Sequence, residues 1–183
     1  MTQPGSAAAL PLAALLSDEA AFEAWYQRVF PHVFAYLVSR TGGRPDLAEE
    51  LTQQTFVEAV RRPTSFSTGQ DGVPWLIGVA RHRLVDHYRR LEREERRRIR
   101  LTVRETAVSG GPESSSRHRL GVQEALAALT PVYRAALLLR YMDRLDVRSI
   151  ARELGRSEAA TESLLTRARA AFAVAYGEPS DAD

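Results

Sequence analysis

The sequence predicts an all-α protein built from two small helical domains joined by a flexible linker. Three observations carry that reading. Apolar residues recur every three or four positions through two long stretches, about 19–100 and 120–176. No sustained alternation of apolar and polar residues marks a strand. Between the stretches, the run from Ser109 to Ser116 reads Ser-Gly-Gly-Pro-Glu-Ser-Ser-Ser, without an apolar residue. That composition suits a mobile connector rather than a packed element. The 183 residues fit one mid-sized or two small domains. The expected organisation is a tail over 1–18, a first domain over 19–104, a linker over 105–119, a second domain over 120–177 and a tail over 178–183.

Each element follows from local chemistry. Phe22, Trp25, Tyr26, Val29, Val33 and Leu37 recur at helical spacing, with Pro31 expected to kink or split the segment. Pro45-Asp46-Leu47-Ala48-Glu49 reads as a helix start, with Asp46 able to cap and Glu49 at the capping-box position. Leu51, Phe56, Ala59 and Val60 give that helix an apolar face, and Pro63 stops it. After a loop over 64–72, Pro74 lies in the first turn of a third helix carrying Trp75, Leu76, Val79, Leu84, Tyr88 and Leu91. The second domain opens with Val122, Leu126 and Leu129, breaks at Thr130-Pro131, and continues as a nearly unbroken apolar helix from Ala135 to Tyr141. Then comes Val147-Arg-Ser-Ile-Ala-Arg-Glu-Leu-Gly-Arg-Ser-Glu158. Ala151 lies one turn before Gly155, and Leu164 lies nine residues after it. A small residue that lets two helices cross, a glycine for a left-handed turn and an apolar lock on the second helix are the parts of a helix-turn-helix.

Composition narrows the chemistry. There is no cysteine, which excludes a disulfide framework, a thiolate zinc site, a cysteine nucleophile and an iron–sulfur cluster. No apolar run approaches the ~18 residues of a membrane span. The Ala/Leu-rich stretch from Ala7 to Leu16 is interrupted by Pro11 and has no basic residue before it, so a tail is expected rather than a signal peptide, in a cytoplasmic protein without membrane insertion. All 25 basic residues are arginine, against 23 acids. Their distribution is uneven: 12 arginines face 5 acids over 61–104, whereas 3 face 7 over 1–60 and 5 face 6 over 147–183. Basic charge concentrated in one block is what a local polyanion contact requires.

Three constellations follow. Trp75, Arg81, His82, Asp86, Tyr88, Arg89 and Arg90 lie on one basic, aromatic helix, just after a loop holding Phe66. Arginines there can meet phosphates, and flat rings can stack on unpaired bases at ~1–3 kcal/mol each. Asp46, Glu49, Glu50, Gln53 and Gln54 form an acidic, polar helix face, open to reading as a solvated surface with favourable helix-dipole charge or as a docking face for a basic partner helix. Arg93, Arg96, Arg97, Arg98, Arg100 and Arg104 form a solvated helix end or a track for a nucleic-acid backbone. His82 and Asp86 sit one turn apart without a third ligand, so no metal is expected. The chain has no phosphate loop, nucleophile elbow or acid/base pair, and neither enzymatic activity nor a cofactor is expected.

In order, these pieces resemble the extracytoplasmic-function (group 4) sigma factors of the sigma-70 family, which keep only regions 2 and 4. Asp46-Leu-Ala-Glu-Glu-Leu-Thr-Gln-Gln-Thr-Phe56 is similar to the helix that grips core RNA polymerase. Trp75 to Asp86 is similar to the helix that melts and reads the −10 promoter element. Leu129 to Leu139, followed by the helix-turn-helix, is similar to the domain that reads the −35 element. The resemblance implies core-polymerase contacts from Asp46, Glu49, Glu50, Gln53, Gln54 and Phe56. It implies −10 contacts from Phe66, Trp75, Arg81, His82, Asp86, Tyr88, Arg89 and Arg90. It implies −35 contacts from Arg148, Arg156, Ser157, Glu158, Thr161, Glu162, Ser163, Arg167 and Arg169.

Expected partners are core RNA polymerase, promoter DNA (duplex at −35, single-stranded at −10) and an anti-sigma factor, with a monomer when free. Three departures stand out. Gln54 replaces a frequent Glu, and His82 a usual Asn. Ala160-Thr-Glu-Ser-Leu-Leu165 replaces a typical Thr-Val-Lys-Ser-Arg-Leu, putting Glu162 and Leu164 where a basic pair is usual. The rival readings are a stand-alone dimeric helix-turn-helix regulator and a helical protein-binding adaptor.

Overall fold

The computed structural model describes residues 16–62, 72–105 and 121–177. Phe66, most of the 64–72 loop, nearly all of the expected linker and the two tails except Leu16–Asp18 lie outside the described residues. Every regular element among the described residues is helical. In chain order they are α1 (Glu19–Arg40), α2 (Pro45–Arg61), α3 (Val73–Glu105), α4 (Val122–Ala128), α5 (Pro131–Leu137), a π-helical turn (Leu138–Met142), α6 (Val147–Leu154) and α7 (Glu158–Tyr176). The chain divides into two compact units, Met1–Leu84 and Val85–Asp183, so their boundary falls inside α3.

In the first unit α1 packs on α2. Trp25, Val29, Val33 and Leu37 recur every four residues on α1 and are buried, as are Leu47, Ala48, Leu51, Phe56 and Ala59 on α2. Asp18 caps α1, its carboxylate accepting from the backbone N–H of Ala20 at 3.1 Å and of Ala21 at 3.2 Å. Pro31 does not split α1, which runs through it for 22 residues. Pro31 is exposed, opposite the buried stripe, and the carbonyl that loses its helical partner belongs to exposed Gln27, where water can replace the bond. The start of α2 also differs from expectation. Arg44 occupies the N-cap, with Pro45 in the first turn and no side-chain cap. Asp46 therefore lies inside the helix, where its charge still favours the N-terminus. Two threonines turn inward on α2 at no hydrogen-bonding cost: Thr52 Oγ1 donates to the Ala48 carbonyl and Thr55 Oγ1 to that of Leu51, both at 2.7 Å.

The second unit is built around α7, against which α4, α5 and α6 all pack. Leu129, Leu137 and Ala168 form a buried cluster, backed by Leu126, Tyr133, Ala171 and Phe172. Burying such side chains contributes ~1.5–3 kcal/mol each. Arg134 reaches back to close α4, donating from Nε to the Leu126 carbonyl at 2.7 Å and from Nη2 to that of Ala127. The expected helix from Ala135 to Tyr141 instead changes pitch at Leu138. The wider turn leaves Leu138 and Leu139 buried and Tyr141 exposed.

Candidate polymerase-docking and nucleic-acid surfaces

The polar face of α2 is exposed at Asp46, Glu49, Glu50 and Gln53, with Gln54 half-buried. Its carboxylates are held by amides one turn on, Gln54 Nε2 donating to Glu50 at 2.9 Å and Gln53 Nε2 to Glu49 at 3.5 Å. Such i,i+4 pairs steady rotamers more than they stabilise the fold. Glu50, Gln53 and Gln54 share an open depression of ≈390 Å³ with Val57, Glu58, Arg61 and Arg83. Glu58 binds Arg62 Nε at 2.9 Å and lies 3.8 Å from Arg83 Nη2. Val57 is 48% exposed beside these charges. Sequence reading missed Val57, Glu58, Arg61 and Arg83. The helical period does reach two of them, since 50, 54, 57 and 61 share a face; Arg83 comes from another helix.

Phe56 is a correction. It is 5% exposed, with ring centroids 4.6 Å from Tyr26, 5.9 Å from Trp25 and 6.3 Å from Phe30. It holds α2 to α1 and offers no free surface to a partner. Burial, and secondarily the charge of Glu49, push the Tyr26 hydroxyl's pKa above its ordinary value.

On α3, Leu76, Ala80, Leu84 and Tyr88 recur every four residues as a buried stripe. Tyr88 is the second correction: at 2% exposure it has no face left for a base. His82, Arg89 and Arg90 are exposed; Trp75, Arg81 and Asp86 are half-buried. Arg89 Nη1 lies 3.9 Å from Asp86. From Arg93 to Ile99 the helix is exposed throughout.

The helix-turn-helix forms where its pattern places it. Asp146 caps α6, accepting from the Ser149 backbone N–H at 2.7 Å. Gly155 takes the left-handed conformation at φ 62°, which a Cβ would oppose. Ser157 caps α7, its Oγ accepting from the Ala160 backbone N–H at 3.2 Å. Ile150, Ala151 and Leu154 from α6 and Thr161, Leu164 and Leu165 from α7 are buried, and the two helices pack on each other. Thr161 is the third correction: it is fully buried, its hydroxyl donating to the Ser157 carbonyl at 2.9 Å. Leu164 is buried too. Of the two positions where a basic pair is usual, only Glu162 faces out. Arg148, Arg156, Ser157, Glu158, Ser163, Arg167 and Arg169 are exposed with it. Arg148 lies 3.9 Å from Glu158, and Arg156 3.9 Å from Glu92. The exposed Arg148–Glu158 pair is worth at most ~1 kcal/mol and leaves Arg148 available, whereas the Arg156 and Glu92 side chains are only 32% and 14% exposed. No helix among the described residues is long and apolar enough to cross a membrane.

Comparison with known proteins agrees with this geometry. The sigma-70 region 2 family model matches residues 21–94, and the sigma-70 region 4 model matches residues 119–172. The chain is 32% identical over 156 residues to the ECF RNA polymerase sigma factor BldN of Streptomyces coelicolor, covering 81% of this chain and 57% of that protein. It therefore spans little more than half of BldN. It is 30% identical over 181 residues to the ECF RNA polymerase sigma factor SigC of Mycobacterium tuberculosis, covering 94% and 92% of the two chains. Among solved structures, the sigma factor RpoE in a co-crystal with the anti-sigma factor NepR from Bartonella quintana shares the fold, with TM-score 0.50 and 22% identity over 84% of this chain and 95% of that one. With regions 2 and 4 matched in order, and with SigC alike across nearly its whole length, the chain belongs to the extracytoplasmic-function sigma factors of the sigma-70 family, non-catalytic promoter-recognition subunits of RNA polymerase.

Proposed function

We propose that this chain binds core RNA polymerase through the exposed face of α2, opens and reads a −10 element with α3, and sets α7 into a −35 major groove. The observation that carries the reading is one chain combining a solvent-facing cationic helix with a correctly built helix-turn-helix. Asp46, Glu49, Glu50, Gln53 and Gln54, with Val57 and Arg61 beside them, form the docking face. Trp75, Arg81, His82, Asp86, Arg89 and Arg90 meet the −10 strand, with Phe66 from the sequence just before α3. Unstacking a base there costs a few kcal/mol, which arginine–phosphate and stacking contacts must offset. Arg148, Arg156, Arg167 and Arg169 hold −35 phosphates while Ser157, Glu158, Glu162 and Ser163 face the bases. Phe56, Tyr88 and Thr161 support these surfaces from the interior.

The functional domains run over 19–104 and 120–177, and joining two weak sites through a linker raises affinity by effective concentration. The free chain is a cytoplasmic monomer, and an anti-sigma factor is a further partner.

The test is run-off transcription with purified core polymerase and a genomic promoter pool. Discrete transcripts that appear only with the chain are the expected result. Their absence, together with failure to co-elute with core polymerase, overturns the reading in favour of a dimeric regulator that binds a palindrome alone.

A further inference from the structure

The outward face of α7 points to a −35 element recognised through cytosine, and we infer that Glu158 and Glu162 each accept a hydrogen bond from a cytosine amino group in the major groove. The inference rests on the groove-docking reading of α7 and concerns what that surface discriminates. Recognition helices meet base edges with their N-terminal residues. In the first two and a half turns of α7 the exposed polar side chains are Glu158, Glu162, Ser163 and Thr166. The two hydroxyl hydrogens are already used: Ser163 Oγ donates to the Ala159 carbonyl and Thr166 Oγ1 to the Glu162 carbonyl, both at 3.1 Å. With the hydroxyls so placed, these four side chains turn mainly acceptors outward, and the two carboxylates, which are acceptors only, dominate the face. The first cation on the helix is Arg167, whose Nε is turned back onto the Ser163 carbonyl at 3.2 Å.

A surface dominated by acceptors selects bases by their donors. Guanine shows O6 and N7 and thymine shows O4, so both set lone pairs against a carboxylate. Adenine offers its N6 amino group but places the N7 acceptor beside it, which suits an amide such as Asn or Gln rather than a carboxylate. Cytosine offers its N4 amino group with no acceptor alongside. Glu158 and Glu162 lie one turn apart on the same face, about 6 Å along the axis at ~1.5 Å per residue. That separation exceeds one base-pair step, so they meet different pairs. Bringing two carboxylates toward the phosphates is unfavourable without local cations. Arg148, 3.9 Å from Glu158 and 80% exposed, stands at the position to supply one.

The experiment uses the full-length chain with core polymerase on a promoter library randomised across the −35 region, reading transcript abundance by sequencing. The wild-type chain should enrich cytosine at two positions on one strand, by roughly tenfold each. Glu162→Gln should replace cytosine by adenine at one of them, because the amide adds the donor that N7 requires. Glu158→Gln should do the same at the other. Promoter-dependent transcription without cytosine enrichment, or with unchanged preferences in both variants, overturns the inference and leaves the sigma reading standing. No promoter-dependent transcription from the wild-type chain overturns the reading beneath it.

Discussion

Helices α3 and α7 are both amphipathic and both bury a stripe, yet they turn opposite chemistry outward. On α3, Leu76, Ala80, Leu84 and Tyr88 are buried, and the helix carries ten arginines against five acids. On α7, Thr161, Leu164, Leu165 and Ala168 are buried, and two arginines balance two acids. Phosphate contacts supply affinity without sequence information, and base-edge contacts supply selectivity. The two outward faces therefore differ in net charge, so under the proposed function they are suited to different shares of these two tasks. On the proposed reading, the cationic helix supplies most of the phosphate contacts and the nearly neutral one discriminates duplex base edges. Periodicity groups residues on a face of each helix, and their identity sets the chemistry that face carries.

The largest expected effect tests the buried side of that comparison. Leu164→Ala should lower unfolding free energy by about 2–5 kcal/mol, as large-to-small core changes do, read from urea denaturation by circular dichroism. A loss under ~0.5 kcal/mol would mean position 164 is a surface site and that α7 is rotated from the orientation described. Next comes the cationic side. Arg89→Ala combined with Arg90→Ala should reduce open complexes by about 10–30-fold, taking ~1 kcal/mol for each lost contact, by permanganate footprinting. Arg167→Ala with Arg169→Ala should cost only about threefold in the same assay, because Arg167 Nε already bonds the Ser163 carbonyl and Arg148 and Arg156 still anchor that domain. Equal losses would end the division of labour.

The smallest effect concerns the N-cap of α6, the helix that packs against α7. Hydrogen bonds from the Ser149 side chain and backbone hold the Asp146 carboxyl below its ordinary pKa. A depressed folded value means its stabilisation is complete above the ordinary carboxylate range near ~4 and is lost as pH falls through the lower folded value. Urea midpoints measured between pH 6 and pH 3 should therefore fall less steeply for Asp146→Asn than for the wild type. Identical slopes would show that this cap does not couple folding to protonation.

Much of this protein is decided within a few residues of chain. Gly155 marks the helix-turn-helix because only a left-handed residue closes that turn, and Asp146 and Ser157 cap the helices they precede. The four-residue recurrence from Trp25 to Leu37 implies one buried stripe, and the excess of arginine over 61–104 marks the cationic helix before any packing is known. Burial at the edges of a stripe is a different matter. Phe56, Tyr88 and Thr161 carry groups suited to binding, and the same spacing serves a contact or a core position. Which one they become depends on whether another element covers them. The depression shared by α2 and Arg83 is likewise non-local, as is the tolerance of Pro31, which depends on that side of α1 remaining open to water. Local sequence determined dihedral angles, caps and charge along each helix. Tertiary packing alone decided which side chains keep a free face, because exclusion from solvent is a property of two surfaces meeting and no single segment encodes it.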